Sequence, residues 1–315
     1  MNEPVITRAP ARRALRLGGA NGILLRLGLI VLAATAVHEH VMRTSSLVVL
    51  LGFLLAGAIL AEPLARYATA WLAFSLLRGI ADDAGLPDRG GLFASADSWI
   101  GFGVTPTERL QNLLYTSGQL GIIDQAAIWI HASYYFVPHL IAIGIWWSCR
   151  KNGMQLFDTY LRATIAVMAA GVLLYVLLPT SPPWLESNGS SQLDVTRIVH
   201  AANSNPTVSR EQIYTIFTDP NPIAAMPSLH TAITVLAAWA LWRRNRPLGM
   251  LAAVYAMAMG LALVYLGEHY VIDVLAGAAL TGIVVVIIQR RDVPVGRLLP
   301  PQTMHREGSY PPGSV

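Results

Sequence analysis

The sequence is poor in charge, nearly devoid of lysine and holds one cysteine, and each scarcity removes a class of protein. Charged residues make up 13% of its 315 residues, against about 25% in soluble domains. A soluble, charge-coated fold is therefore excluded, and the mean hydropathy of +0.49 agrees. Cys149 stands alone, so no intramolecular disulfide can form, and its place at the end of an apolar run suits packing. No zinc-ligand spacing and no glycine-rich phosphate loop occurs. Lys151 is the only lysine, and the net charge of +4 rests on arginine. In so apolar a chain that excess reads as basic loops on one side of a membrane, not as a nucleic-acid surface.

What is present is long apolar runs. A spanning helix needs about 20 mostly apolar residues. Runs at 20–37, 47–61, 64–80, 126–149, 163–178, 223–242, 248–266 and 270–289 supply eight candidate spans, with Pro138 interrupting the fourth. Arg26 in the first can snorkel. Arg12, Arg13 and Arg16 before it resemble a signal-peptide start, but no small-residue cleavage site follows, so the run reads as a retained helix. Residues 82–123 read as interfacial helices and loops, and 179–222 as a polar loop. The basic groups Arg150, Lys151 and Arg162, then Arg243, Arg244 and Arg246, then Arg290 and Arg291, fall on one side if the spans alternate. That side is the cytoplasm, the 179–222 loop faces outward, and both termini lie inside. The expected organisation is a cytoplasmic segment 1–19, N-terminal transmembrane helices 20–81, a catalytic membrane domain 82–292 and a disordered tail 293–315.

This topology brings two segments to the outer level. Pro227-Ser228-Leu229-His230 opens one span, and Gly267 to Asp273 forms the turn between the last two. His269 and Asp273 are four apart, a spacing that shares one face of a helix. A carboxylate there fixes the imidazole tautomer and makes the other ring nitrogen a better nucleophile. The alternative is a capping or packing pair, though ionisable groups inside spans are usually functional. His230, near a helix N-terminus that attracts phosphate, is placed to protonate a leaving oxygen. Ser228 is either a phosphate-binding hydroxyl or an ordinary N-cap. Glu268 reads as a solvated interfacial residue. His38-Glu39-His40 does not share a helix face and reads as loop.

Ala225-Met226-Pro227-Ser228-Leu229-His230 resembles the second signature of the type 2 phosphatidic acid phosphatase superfamily. Tyr265 to Gly277 resembles the third. With Leu178-Pro179-Thr180-Ser181-Pro182-Pro183-Trp184 they look most like the branch containing inositol phosphorylceramide synthases, over roughly residues 95–290. The resemblance implies an all-α polytopic bundle with a six-helix core and extra N-terminal helices. It implies an enzyme without metal or cofactor, acting on lipid phosphates or phospholipids through a phosphohistidine at the outer face of a bacterial-type plasma membrane. His269 would be the nucleophile, Asp273 its orienter, His230 the general acid, and Ser228 a phosphate ligand. His139 falls where this branch carries a histidine, as a substrate-binding or a packing residue. The lysine and arginine signatures of the phosphatase branch are missing: Leu263 stands where an arginine would precede His269. Arg109, Arg197 and Arg210 are the candidate replacements. The absences favour transfer over hydrolysis. A transporter with a His/Asp proton relay is the reading from another class, but no repeats or broken midplane helices support it.

Overall fold

In the computed structural model, the described residues are 63–79, 81, 85–117, 119–151, 153–189, 193–201 and 223–291. The expected spans at 20–37 and 47–61, the His38-Glu39-His40 group, Arg210 and the tail lie outside them. The chain divides into two compact units at Leu77/Arg78. The described part of the first unit is helix α1, Pro63–Arg78, except for its last residue, Arg78, which belongs to the second; in it Trp71 packs edge-on against Tyr67 and Phe74.

Every regular element among the described residues of the second unit is a helix. It runs α2 Gly90–Ile100, α3 Pro106–Leu114, α4 Ile122–Ser133, α5 Val137–Cys149, α6 Gln155–Leu177, α7 Pro183–Gly189, α8 Ile198–Ala201, α9 Leu229–Arg244, α10 Arg246–Tyr265 and α11 Val271–Arg291. Helices α6, α10 and α11 are long and apolar enough to cross a membrane, and α4 with α5 makes a fourth if the bent pair counts as one span.

The structure shifts three expected boundaries. The 126–149 run is bent by 47° between α4 and α5. The bend precedes Pro138, which sits in the first turn of α5, where a missing N–H costs nothing. Helix α6 starts at Gln155, eight residues before the expected apolar run. Phe157, Tyr160 and Leu161 are buried there, while Arg162 is exposed, so the added turns are amphipathic rather than uniformly apolar. Helix α9 starts at Leu229, because Ser228 caps it and Pro227, after a cis peptide bond, lies outside it.

Packing follows residue size. On α10 the buried face carries Gly249, Ala252, Ala256, Met259, Gly260 and Leu263 at helical spacing. The opposite stripe of Met250, Val254, Met257 and Leu261 is exposed. Small residues on the inner face let α9 and α10 approach closely, which drives association where lipid is as apolar as the helices. Thr281 on α11 donates across the interface to the Ala232 carbonyl at 2.8 Å. At the other end of the hairpin, Asn245 ends α9 and caps α10, its side chain accepting the Leu248 N–H at 3.1 Å.

Candidate active site

The two sequence segments meet through backbone and packing. The Ser228 N–H donates to the Asp273 carbonyl at 3.0 Å. A Cβ on Gly277 would stand 2.2 Å from the Ser228 carbonyl oxygen, so only glycine lets α11 lie against the start of α9. The Pro227 carbonyl accepts from the buried Tyr175 hydroxyl at 3.1 Å. Behind it, Thr180 and Ala224 form a parallel β-bridge. Asp88 holds the 179–184 loop, accepting from the Ser181 N–H at 2.8 Å and from the Ser181 hydroxyl.

The turn carrying His269 is built by the end of α10. Leu266 closes the helix and Gly267 follows at φ +81°. The Gly267 N–H bonds to the Val264 carbonyl at 3.2 Å and the Glu268 N–H to the Leu263 carbonyl at 3.0 Å. This is a Schellman close, which satisfies the last helical carbonyls and needs a left-handed residue at Gly267. The chain then enters α11, where Asp273 Oδ2 accepts the Tyr270 N–H at 2.9 Å.

His269 Nδ1 stands 3.4 Å from Asp273 Oδ2. His269 precedes α11 by two residues, so the pair spans a helix start rather than sharing a helix face. Asp273 is wholly buried and His269 nearly so. With Nδ1 turned to the carboxylate, Nε2 is left as the nitrogen that can attack. The His230 ring lies 5.6 Å from the His269 ring, at 67° between planes. Its Nε2 is buried without a hydrogen-bond partner among the described residues.

Ser228 is fully buried, and its Oγ accepts from the Thr231 N–H at 3.4 Å and faces the Thr231 hydroxyl at 3.3 Å. The N-cap reading is therefore realised. His139 lies on α5, partly buried, in the first turn after the bend. Two residues that sequence reasoning missed surround His230. The His131 ring, on α4, is 5.1 Å away and the Tyr134 ring 4.2 Å away. No spacing rule marks them, because they reach the site only through the packing of α4.

Glu268 is not solvated. It is buried, and Arg197 grips it twice, Nε to Oε1 at 2.8 Å and Nη2 to Oε2 at 3.1 Å. Burial by itself raises the Glu268 carboxyl, but the hydrogen bond and charge of Arg197 outweigh it and hold the group below its usual value. The Arg197 guanidinium also lies over the Trp184 ring at 4.2 Å. Gln111 on α3 fastens this loop, donating to the Thr196 carbonyl at 2.8 Å and accepting its N–H at 2.9 Å. Of the other candidate cations, Arg109 donates to the Gly101 and Phe102 carbonyls at 3.0 and 3.4 Å. Arg78, the first residue of the second unit, is near enough for its charge to act on both His131 and His230. Among the described residues, no group of three or more His, Cys, Asp or Glu side chains is arranged to hold a metal ion.

No curated protein and no solved structure matches the chain. The family model of the PAP2 superfamily matches residues 92–287, from α2 almost to the end of α11, and takes in both histidines and the aspartate. With that match over more than half of the chain, the protein belongs to the PAP2 superfamily of phosphatases and phosphotransferases.

Proposed function

We propose that the protein is a lipid phosphotransferase working through a phosphohistidine on His269, with a phospho-head group such as inositol phosphate as the transferred unit. The observation that carries this reading is the facing pair of rings, His230 and His269, with Asp273 behind the second. In the first step His269 Nε2 attacks phosphorus. An N–P bond forms and the bond from phosphorus to the lipid alcohol oxygen breaks. His230, protonated, delivers its proton to that oxygen. In the second step an acceptor alcohol gives its proton back to His230 and attacks the same phosphorus, releasing His269. Asp273 holds the imidazole in one tautomer and balances the positive charge that develops on it. Ser228 and the first turn of α9 bind phosphate oxygens, helped by the charge of Arg78.

Hydrolysis differs only in the acceptor, with water in place of the alcohol. The burial of His269 and Asp273 favours the transfer reading, because a site shielded from water preserves the intermediate for an alcohol. Resemblance to the inositol phosphorylceramide synthase-like branch and the missing cationic signatures support the same choice. In this proposal the site opens on the outer leaflet, and the reaction needs no metal.

The test is product analysis. The purified protein in lipid receives phosphatidylinositol with and without a long-chain lipid alcohol. A new phospholipid that forms only with the acceptor is expected, and chelators leave its formation unchanged. Free inositol phosphate at the same rate with or without acceptor overturns transfer in favour of hydrolysis. His269→Ala is expected to lower turnover by about 10⁴-fold or more. A folded His269→Ala protein of normal activity removes the phosphohistidine from the mechanism.

A further inference from the structure

A cavity of about 750 Å³ lies between α6, α9 and α11. Its walls include Gln155, Asp158 and Arg162 of α6, Trp239 and Arg243 of α9, and Gln289 of α11. It stands at the far end of the bundle from the active site. His230 and Arg243 are the two ends of α9, about 20 Å apart at 1.5 Å per residue. Asp273 and Gln289 are separated in the same way on α11. In a chain whose long apolar helices cross the bilayer, this cavity opens on the opposite leaflet.

Its chemistry is that of a phosphate site. Two arginines line it from different helices, Arg162 from α6 and Arg243 from α9. Helix α6 begins beside them, its N-cap residue Met154 makes no side-chain cap hydrogen bond, and its first turn carries Asp158. The positive end of a 23-residue helix adds to the field of the two arginines where an anion is favoured. Arg162 is already oriented, with Nη2 donating to Thr159 Oγ1 at 3.3 Å. Asp158 and the two glutamines add groups that accept from or donate to hydroxyls.

Beyond the cavity, toward the middle of the bundle, the faces of α6 and α11 carry exposed apolar residues. Ile165, one turn beyond Arg162, is 44% exposed, and Val286, one turn before Gln289, is 46% exposed. A polar cavity that continues into exposed apolar helix faces matches a molecule with a phosphate at one end and hydrocarbon at the other. We propose that this cavity binds the phosphodiester headgroup of a glycerophospholipid from the leaflet opposite the active site. The arginines and the start of α6 take the phosphate, Asp158 takes a headgroup hydroxyl, and the acyl chains lie along α6 and α11. The site is independent of the reaction assigned to His269.

Native mass spectrometry of the detergent-solubilised protein tests it, with dioleoylphosphatidylglycerol as probe. Dioleoylglycerol, which lacks the phosphate, and inorganic phosphate, which lacks the chains, are run beside it. Phosphatidylglycerol is expected to bind at least about tenfold more tightly than dioleoylglycerol, since the contacts are charge-assisted. Arg162→Gln/Arg243→Gln is expected to weaken it about tenfold or more, while Arg290→Gln/Arg291→Gln, the same charge change outside the cavity, leaves it unchanged. Millimolar phosphate is expected not to displace it. Equal losses in the two double variants reduce the effect to general surface charge and overturn the proposal. So does equal binding of dioleoylglycerol, or displacement by phosphate alone, which makes this a free-anion site. If the first double variant does not fold, Arg243→Gln compared with Arg243→Lys decides. A loss only in the glutamine variant is expected, and equal affinities count against the site.

Discussion

Asp97 on α2 accepts the backbone N–H of Ile272 at 3.1 Å, so the helix that follows His269 is capped by a carboxylate 175 residues away in the chain. The side chain is fully buried, and its other oxygen has no hydrogen-bond partner among the described residues. Burial raises its pKa from 3.8 to about 6, against the opposing bonds from Ile272 and Val271, and the nearby Asp273 charge adds to the rise. The folded state thus holds this proton more tightly than the unfolded chain. The stabilisation is complete below about pH 4 and is lost as pH climbs through about 6.

Asp97→Asn keeps an acceptor for Ile272 and removes the titration. At pH 7.5 the variant is expected to be more stable than the parent, by on the order of 2 kcal/mol. Near pH 4 the difference closes. Thermal unfolding in detergent at the two pH values checks this, and a pH-independent difference removes the role given to the Asp97 charge.

Glu268→Gln removes the ion pair, leaves Arg197 a single acceptor oxygen and loosens the turn that holds His269. A loss of about 3 kcal/mol in stability is expected, as for other broken buried pairs. Turnover is expected to fall about tenfold with little change in KM, since the turn sets where His269 stands. Because Arg197 holds the Glu268 carboxyl below its usual 4.5, the pair's contribution is complete above that value and drains away at lower pH. Stability and steady-state kinetics of Glu268→Gln and Glu268→Asp separate the two effects. A Glu268→Gln enzyme with unchanged turnover shows that the pair is purely structural.

His131 packs edge-on against His230, the proposed general acid. His131→Ala leaves space beside that ring and is expected to lower turnover about tenfold or more, chiefly for leaving alcohols of high pKa, which most need the proton. Rates with a good phenolic leaving group are expected to change much less. Equal losses for both leaving groups rule out a role through proton delivery.

Gly277→Ala places a methyl group where the Ser228 carbonyl already stands. It is expected to cost about 3 kcal/mol and to reduce activity as α9 and α11 separate. Gly282→Ala on the same helix meets open space and serves as the control. Melting temperatures and yields of the two variants give the answer. Equal stability contradicts the close approach inferred here.

The sequence by itself determined the class of fold and singled out the candidate groups His230, His269 and Asp273. Low charge and long apolar runs can be accommodated only by membrane helices. Four-residue spacing put His269 near Asp273, though they meet across a helix start and not on one helix face, and helix-start chemistry left Ser228 as either a cap or a phosphate-binding hydroxyl. These are short-range properties, and a linear reading reaches them. Tertiary structure alone decided the surroundings. The burial of Glu268 required Arg197, on a loop 71 residues earlier, to swing over Trp184 and grip it. Asp97 became a cap for α11 only because α2 packs at that end of the bundle. His131 and Tyr134 entered the site through the packing of α4, while His139, marked by family position, lies on α5 beyond the bend. Periodicity gives the face a side chain occupies on its own helix; which distant group meets it depends on how the helices pack, and that is a property of the whole chain.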